Sequence, residues 1–428
     1  MLAKNILNFC TKIKNFLLII FAFVFPISLA AANILLGILT FCWILEGNWK
    51  FKFKKIKNNK LIWIIYLIPF ILGVSTLLSS SSTNGFLVSS GYKNEYQFIF
   101  KHFLWLNTLF LILITSEVDT KKLLSSFLLG MFFSEVVSYL IFFHLIDINF
   151  FKNLGLLSRG VKYYDPSPFM HHTFYSLFLA ISILLIFDNL NHFKGIFKVI
   201  SILFLISATV NLFINGGRTG QFALIFGALS YALFKYRKIK ALLITFIVLM
   251  AVFLSAYNFS VVFKNRISLA FSDLKKLKYQ NYDSSWGERI ASNIVFIKII
   301  LNNPKISVFG CGAGDAQEVF FKEGEKLALL EIKYLKNYQH LHNQYFQLWC
   351  DGSILAFILI LLYFFYLYKY APSPLTLAVT VIFAFSFIAD VMLYRPKPYI
   401  LFLFISAVLV KLYSSNDYET SNTGRDNV

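Results

Sequence analysis

The residues best suited to chemistry are a few polar side chains that interrupt a very hydrophobic chain. Arg218 lies in the turn 215–220, and His340 and His342 precede a later hydrophobic stretch. An arginine beside a glycine turn is typical of sites that bind phosphate groups, while histidine suits proton transfer near neutral pH. The sequence therefore offers a candidate anion site and a candidate base.

The turn before Arg218 also has the backbone features of an anion site. Gly216 and Gly217 let the chain bend and expose N–H groups. Thr219 is placed to cap the following helix, whose N-terminus carries partial positive charge. The alternative is an ordinary turn whose arginine keeps its charge in the interfacial water. We favour the anion site and include Gly217 and Thr219 in it.

His342 is followed by Asn343 and stands directly before a hydrophobic stretch. The plain alternative for such a histidine is a hydrogen bond at the membrane edge, but its position after a long polar segment favours a catalytic role. His340 and His342 are two residues apart and do not form a helical metal pair, and the sequence shows no third ligand. We therefore predict neither a metal nor another cofactor.

Two further arginines are candidates for holding the same anion. Arg289 follows the segment 284–288 at the start of a predicted helix, where it could hold a phosphate or pair with a neighbouring carboxylate. Arg159 adds positive charge before a later hydrophobic stretch, and its alternative is a plain loop charge. The Gly-rich segment 310–315 could approach a ligand closely or form a simple turn.

Three carboxylates fall within or beside hydrophobic stretches, where a charge is costly to bury. They are Glu135, Asp351 and Asp390. Such residues are functional candidates by default, although each could simply form a hydrogen bond with a neighbouring helix. The sequence does not choose between these interpretations.

The composition excludes a soluble protein. Of the 428 residues, 58% are hydrophobic and 14% are charged, whereas a typical soluble domain is about 25% charged. The net charge of +19 fits the Lys and Arg residues that collect in cytoplasmic loops of membrane proteins, and no soluble basic face for nucleic acid is evident. The four cysteines form no framework, so we expect no disulfide scaffold.

The hydrophobic stretches predict an all-α polytopic membrane protein with about twelve transmembrane helices. The first stretch, 15–45, has basic residues on both flanks and is predicted to be two helices that divide near 31–33. The predicted units are transmembrane helices 1–9 within 1–258, a large periplasmic loop over 259–343, helices 10–12 within 344–413 and a cytoplasmic tail over 414–428. The other predicted spans are 61–78, 98–115, 123–146, 172–187, 197–214, 220–234, 241–258, 344–366, 375–390 and 398–413.

The topology follows from the basic loops. The cluster of Lys and Arg over 235–240 fits the cytoplasmic side, so both termini are predicted to be cytoplasmic and the candidate residues to lie on the outer side. The long loop between helices 9 and 10 is predicted to contain helices of its own. One begins near Trp286 and ends at 302–304, and a second lies around 319–334.

Taken together, these motifs resemble the O-antigen ligase family, a group of bacterial inner-membrane glycosyltransferases. The resemblance covers roughly 159–355, and the order and spacing of its motifs match. The matching pieces are Gly217–Arg218–Thr219–Gly220, Gly287–Glu288–Arg289, Asn303–Pro304, Gly310–Cys311–Gly312–Ala313–Gly314 and His342–Asn343–Gln344–Tyr345 with Gly352.

The resemblance implies a multi-pass enzyme of the bacterial inner membrane with its active site in the periplasm. The donor would be an undecaprenyl-diphosphate-linked glycan and the acceptor a sugar hydroxyl of lipid A–core, with membrane lipids as further partners and no nucleic acid. Arginines can neutralise charge as a metal does elsewhere, so transfer would be metal-independent. The implied roles are diphosphate binding for Arg218, Arg289 and Arg159, catalysis for His342 together with Arg218, and weaker substrate contacts for Gly217, Thr219, His340 and Asn343.

Three alternatives remain open at the level of sequence. An O-antigen polymerase or a protein O-oligosaccharyltransferase would use the same donor with a different acceptor. A polysaccharide transporter or flippase belongs to another class, and such proteins tend to show internal repeats and broken helices around a midplane site. The large polar segment with clustered Arg and His favours an enzyme, and the ligase is our preferred interpretation.

Overall fold

A computed structural model describes residues 2–79, 92–326 and 340–423. Within these ranges the chain forms helices joined by short loops, with one isolated β-bridge between Lys162 and Asp165 and no strand, so the predicted all-α fold is confirmed. The helices are α1 Leu2–Val24, α2 Leu29–Leu45, α3 Trp49–Asn58, α4 Lys60–Leu78, α5 Glu95–Thr115, α6 Thr120–Phe142, α7 Ile148–Asn153, α8 His172–Asn189, α9 Gly195–Ile214, α10 Arg218–Tyr236, α11 Ile239–Phe259, α12 Val261–Lys278, α13 Ser285–Asn302, α14 Pro304–Phe309, α15 Ala316–Lys326, α16 Gln344–Tyr370, α17 Pro374–Ala389 and α18 Pro396–Thr423.

Eight of the described helices are long and apolar enough to cross a membrane, which confirms the membrane character. They are α4, α5, α6, α8, α9, α11, α16 and the Pro396–Tyr413 part of α18. Counting α2 and α3 as one span bent by 115° raises the number to nine, and α17 is apolar but shorter. The count of twelve therefore stays a prediction. The backbone of α18 continues to Thr423, so much of the predicted tail is helical.

The first hydrophobic stretch divides into two helices as predicted, but at a different place. The first of these helices ends at Val24 and the second begins at Leu29, so the break lies around Pro26 and not at 31–33. Proline has no N–H to donate and disfavours the helical conformation in the residue before it. The Ser28 hydroxyl then accepts a hydrogen bond from the Ala31 N–H at 3.3 Å. The proline and the serine cap together determine where the first helix ends and the second begins. A prediction from hydrophobicity alone put this boundary too late in the sequence.

Helix α8 lies at the centre of the packing that positions the candidate residues. Every residue from Tyr175 to Ile186 is buried, and α8 packs against both α10 and α17. Gly227 lets α10 approach α17 closely, because a Cβ at that position would lie 2.7 Å from Ile382 Cγ1. Helix α11 has no buried residue, as expected for a helix that faces lipid at the edge of the bundle.

The polar segment 259–343 contains the described helices α12 to α15. Helix α13 confirms the first predicted helix of this segment, and the Ser284 hydroxyl caps it by accepting from the Gly287 N–H at 3.0 Å. The second predicted helix is present as α15, which ends at Lys326; the rest of that prediction, 327–334, lies outside the described residues. A shared hydrophobic cluster packs α13 and α15 against α16. The insert is therefore anchored on the bundle at the end where α16 begins.

Candidate active site

Arg218 is the first residue of α10 and follows the N-cap residue Gly217. The prediction that Thr219 caps this helix is wrong, because the helix begins earlier and Thr219 lies buried inside its first turn. The turn packs directly on α8: a Cβ on Gly217 would lie 2.3 Å from Ser176 Oγ, and one on Gly220 would lie 2.2 Å from the Ser176 carbonyl carbon. The glycines are therefore needed for this approach, which fixes where Arg218 begins its helix.

Asp165 holds the same turn from the loop that precedes α8. Its Oδ1 accepts a hydrogen bond from the Gly216 N–H at 2.9 Å, and its Oδ2 lies 2.9 Å from His172 Nδ1. Burial favours the neutral acid, but His172, the Gly216 N–H and Arg266 outweigh burial and lower the pKa of Asp165. Asp165 was not predicted as a site residue, since a carboxylate in a polar loop carries no distinguishing local signal.

Three arginines from different helices converge at this turn. Arg266 on α12 lies against it, because a Cβ on Gly216 would be 2.8 Å from Arg266 Nη2. Burial lowers the pKa of Arg218, and the positive charges of Arg289 and Arg266 lower it further, with Asp273 partly opposing them. Like charges this close repel one another, so an anion bound among them would be strongly stabilised. We call Arg218, Arg266 and Arg289 the arginine cluster; Arg218 and Arg289 are predicted from the sequence, and Arg266 is not.

His342 lies next to the arginine cluster. Asn343 is the N-cap of α16, and its side-chain oxygen accepts hydrogen bonds from the N–H groups of the first turn. This oxygen therefore has a structural role. His342, the preceding residue, has a left-handed backbone with φ of 46°, a conformation that costs energy in a non-glycine residue and is often found at functional sites. Its Nδ1 lies 3.6 Å from Asp390 Oδ1. The histidine is thus held beside a carboxylate at the start of α16.

Arg289 joins the arginine cluster to this histidine–aspartate pair. Its Nε donates to the carbonyl oxygen of Ala389 at 3.1 Å, and Ala389 is the residue immediately before Asp390. The charge of Arg289 also acts on His342, whose pKa it lowers. The predicted anion site and the predicted base therefore form one site.

The surroundings favour a neutral His342 and an ionised Asp390. Burial lowers the pKa of His342 to about 4; Asp390 opposes this shift, while Arg289 and Arg395 add to it. Burial alone would raise the pKa of Asp390, but the two histidines and Arg289 hold it at about 2. At neutral pH His342 can therefore accept a proton, and Asp390 can stabilise the imidazolium that forms.

His340 supports His342 from the other side. The two imidazole rings lie 4.1 Å apart between centroids, and His340 Nε2 accepts a hydrogen bond from Arg395 Nη2 at 3.1 Å. Arginine is only a donor, so Nε2 is the unprotonated nitrogen of a neutral His340. Burial lowers the pKa of His340 to about 3. This residue positions His342 and Arg395, and the weak prediction that it contacts substrate stays a prediction.

His340, His342 and Asp390 also bring three possible metal-ligand atoms within 4.8 Å of one another. The expectation that the two histidines lack a third ligand is therefore wrong: Asp390 supplies it from a remote part of the sequence. Two histidines and a carboxylate are a common zinc set. However, Arg395 already donates to His340, and Arg289 adds positive charge beside Asp390, and both disfavour a divalent cation. Metal independence stays a prediction.

The Gly-rich segment 310–315 is a packing element. Gly310, Gly312 and Gly314 have φ of +76°, +103° and +90°, which only glycine adopts readily. The N–H of Gly312 donates to Ser75 Oγ at 3.0 Å and that of Ala313 to Thr76 Oγ1 at 3.0 Å. Because the protein itself uses these N–H groups, the simple-turn interpretation is favoured over ligand binding.

Asp351 is a structural anchor within the same region. Its Oδ2 accepts from Tyr394 OH at 2.7 Å and from Gln347 Nε2 at 2.9 Å, and its Oδ1 accepts from the Ala316 N–H at 3.2 Å. It thereby ties α15 and α16 to the segment that carries Asp390 and Arg395. Its buried charge is explained by these hydrogen bonds.

The two other predicted candidates have no described contact with the site. Arg159 is exposed in the loop between α7 and α8, and none of its described contacts reaches Arg218 or Arg289. Glu135 is buried on α6, and none of its described contacts reaches the arginine cluster or His342. The role of Arg159 in diphosphate binding stays a prediction.

A cavity of about 900 Å³ opens beside His171 and Arg395. Its walls are mostly apolar, and Lys397 and Arg395 bring positive charge to one side. Lys397 Nζ is bonded to the carbonyls of Pro26, Ile27 and Phe169 at 3.0, 2.9 and 2.8 Å, so it joins the walls together. An apolar cavity with a few polar groups at one end suits a lipid that carries an anionic head group.

The comparison with known families agrees with this site. Residues 202–361 match the family model described as O-Antigen ligase, and this range includes the whole arginine cluster together with His340 and His342. Asp390 and Arg395 lie beyond it. No curated protein matches the chain. The match indicates a glycosyltransferase-like membrane enzyme of the O-antigen ligase and polymerase type, and over residues 202–361 the chain is similar to the O-antigen ligase family.

Proposed function

We propose that this protein is an O-antigen ligase, which transfers a glycan from undecaprenyl diphosphate to a sugar hydroxyl of lipid A–core at the periplasmic face of the bacterial inner membrane. The observation that carries the proposal is the convergence of the arginine cluster on the His342–Asp390 pair. The leaving group of this reaction is a diphosphate, and the acceptor is a hydroxyl that must lose a proton. The reaction therefore needs a polycationic site and a base side by side.

The arginine cluster suits the donor half of the reaction. During transfer, the bond between the anomeric carbon and the diphosphate oxygen breaks, and negative charge grows on the departing diphosphate. The planar guanidinium group can bind two phosphate oxygens at once, so Arg218, Arg266 and Arg289 would hold the donor and stabilise that charge. No nucleoside triphosphate is required, because cleavage of the bond between the sugar and the diphosphate supplies the free energy.

His342 suits the acceptor half. Because its Nδ1 faces Asp390, the tautomer with the proton on Nδ1 leaves Nε2 to take the proton of the acceptor hydroxyl as its oxygen bonds to the anomeric carbon. The separation of 3.6 Å between Nδ1 and Asp390 Oδ1 is longer than a hydrogen bond. Catalytic hydrogen bonds are often long before substrate binds.

The cavity beside Arg395 supports a lipid-borne substrate. Its volume of about 900 Å³ and apolar walls can take part of a lipid chain, while Arg395 links its charged side to His340. A lipid substrate seated there would present its head group next to His342. The arrangement fits an enzyme that joins two membrane-anchored molecules.

The test is transfer by the purified protein in lipid nanodiscs. Undecaprenyl-diphosphate glycan and lipid A–core are supplied with and without a chelator, and the products are separated by gel and identified by mass spectrometry. Glycan on lipid A–core in the presence of chelator is the expected result. Longer lipid-linked chains with bare core would identify a polymerase, and glycan on an added protein acceptor would identify a protein O-oligosaccharyltransferase. Absence of any transfer by folded protein would overturn the enzymatic proposal and favour transport.

A further inference from the structure

Cys311 and Cys350 bring their thiols into direct contact. Their Sγ atoms lie 3.5 Å apart, and the Cys311 N–H donates to the Cys350 carbonyl oxygen at 2.8 Å. Cys311 belongs to the Gly-rich segment and Cys350 to α16, so the contact joins two elements that are remote in sequence. Both side chains are buried, with 6% and 0% of their surface exposed. The backbone hydrogen bond holds the two main chains side by side at the two cysteines.

The backbone on both sides is shaped for this contact. The helical conformation of α16 is interrupted at Ser353, where φ is +78°, so carbonyl groups just before the interruption are available to a neighbouring segment. The Cys350 and Asp351 carbonyls accept from the N–H groups of Cys311 and Gly312 at 2.8 and 3.2 Å. The positive φ of Gly310 and Gly312 turns the segment towards α16. The pair is therefore held in place by main-chain bonds, independently of the thiols.

We propose that Cys311 and Cys350 form a disulfide. The bond would join the two ends of the segment 312–349, which carries His340 and His342. The proposal rests on the periplasmic location given under the proposed function, because disulfides form and persist in that oxidising compartment. It replaces the expectation from sequence that the four cysteines form no disulfide. The bond would hold the Gly-rich segment on α16, only a few residues from the start of the helix at which His342 is placed.

The oxidant is a disulfide of the thiol–disulfide oxidoreductase class. The thiolate of one cysteine attacks a sulfur of that disulfide, and the second cysteine then displaces the oxidant from the mixed disulfide. The oxidant departs as a dithiol that carries the two electrons and the two protons. The hydrogen bond with Cys350 and burial raise the pKa of the Cys311 thiol, which would slow exchange in the folded chain. The exchange therefore takes place before the Gly-rich segment packs on α16, and burial then shields the bond from reductants.

Cys10 and Cys42 provide an internal control, because they are also buried but lie at the predicted cytoplasmic ends of α1 and α2. Thiol exchange in intact cells is quenched with acid, the denatured protein is alkylated, and the purified protein is digested without reduction for mass spectrometry. We expect a linked peptide pair containing Cys311 and Cys350, with Cys10 and Cys42 alkylated. Cys311 and Cys350 recovered as separate alkylated peptides would overturn the proposal.

The stabilising effect is tested with Cys311→Ser, Cys350→Ser and the double variant, with Cys42→Ser as the matched control. We expect the three variants to lower the thermal midpoint to a common value, which the unmodified protein reaches only when it is produced under reducing conditions. A midpoint of the unmodified protein that is the same after production under reducing and oxidising conditions would count against the disulfide. If the variants fail to fold, the peptide measurement on the unmodified chain still decides. A linked Cys311–Cys350 peptide pair in a protein without transfer would overturn the proposed function alone. Separate Cys311 and Cys350 peptides from a protein that transfers glycan would overturn the disulfide alone.

Discussion

The Nδ1 atom of His342 lies 3.6 Å from Asp390 Oδ1, although one residue precedes α16 and the other follows α17. These helices are consecutive and joined by a short loop, so the start of α16 and the end of α17 lie close together. Arg289 reaches the same place by donating to the carbonyl of Ala389 at 3.1 Å. One helical hairpin therefore positions the candidate base, its carboxylate partner and one arginine of the cluster.

The pairing predicts that both residues act mainly on the chemical step. We expect His342→Ala to lower kcat by roughly 10²- to 10⁴-fold, the range of general base catalysis. Asp390→Asn should lower kcat with little change in KM, because it removes the charge that stabilises the imidazolium but keeps the shape. The measurement is glycan transfer in nanodiscs, with the exposed His192→Ala as control. A folded His342→Ala variant with near-normal turnover would eliminate the base assignment.

Arg218 should be sensitive even to a change that keeps its charge. Arg218→Lys loses the planar fork that fits phosphate oxygens, and a hydrogen bond to a charged group is worth about 1.5–3 kcal/mol. We expect kcat/KM for the lipid-linked donor to fall roughly 10- to 100-fold. Arg237→Lys is the matched control, because Arg237 follows the opposite end of α10. Equal donor kinetics for the two variants would mean that Arg218 is only an interfacial charge.

The site shows what could be predicted from sequence and what could not. Arg218 and His342 stand in short motifs with local meaning, a glycine turn and a helix start, and both were identified. Arg266 lies in α12 among several lysines, so its type and spacing do not distinguish it. Asp390 was predicted as a costly acid in a hydrophobic stretch. Its pairing with His342 depends on the packing of α16 against α17, which the sequence does not reveal. Residues whose role depends on tertiary contacts were therefore missed or left without a role.

Arg266 should contribute to the same anion site. Its guanidinium lies against Gly216 and its charge acts on both Arg218 and Asp165. We expect Arg266→Gln to raise the KM for the donor by roughly tenfold, about 1.4 kcal/mol, and to make transfer less sensitive to competing inorganic diphosphate. Lys264→Gln changes an exposed charge on the same helix and should have little effect. Identical donor KM values for both variants would place Arg266 outside the site.

The buried histidines predict a loss of stability in mild acid. The pKa values of His340, His342 and His171 are about 3, 4 and 4 in the folded chain, whereas an unfolded histidine titrates near ~6.5. Between about pH 6.5 and 4 the unfolded chain therefore binds more protons at these histidines, so their contribution to stability is lost as the pH falls. Burial raises the pKa of Asp315 to about 8, so this carboxyl contributes in the opposite direction. Asp390, with a pKa of about 2 in the folded chain, stays ionised in both states over most of this window.

The measurement is the thermal midpoint in nanodiscs between pH 7.5 and 5. We expect acidification towards pH 5 to favour the midpoint of a His340→Gln variant relative to that of the unmodified protein, because the variant lacks one buried histidine that must stay neutral in the folded chain. Since the pKa of His342 is about 4, His342 is neutral at both pH 6 and pH 7. The rate of transfer should therefore be nearly the same at these two pH values. A midpoint difference between the two proteins that does not change with pH would contradict the burial of His340.

Gly217 tests whether the turn on α8 positions Arg218. A Cβ at this residue would lie 2.3 Å from Ser176 Oγ and 2.5 Å from the His172 carbonyl oxygen, closer than atoms can approach. Gly217→Ala must therefore push the start of α10 away from α8 and move Arg218 within the cluster. A displacement of about 1 Å can reduce turnover on the order of 100-fold, so we expect a large loss of transfer. Gly73→Ala is the control, because a Cβ at Gly73 meets nothing within 4 Å. If both glycine variants transferred glycan equally well, the start of α10 would not position Arg218 for catalysis.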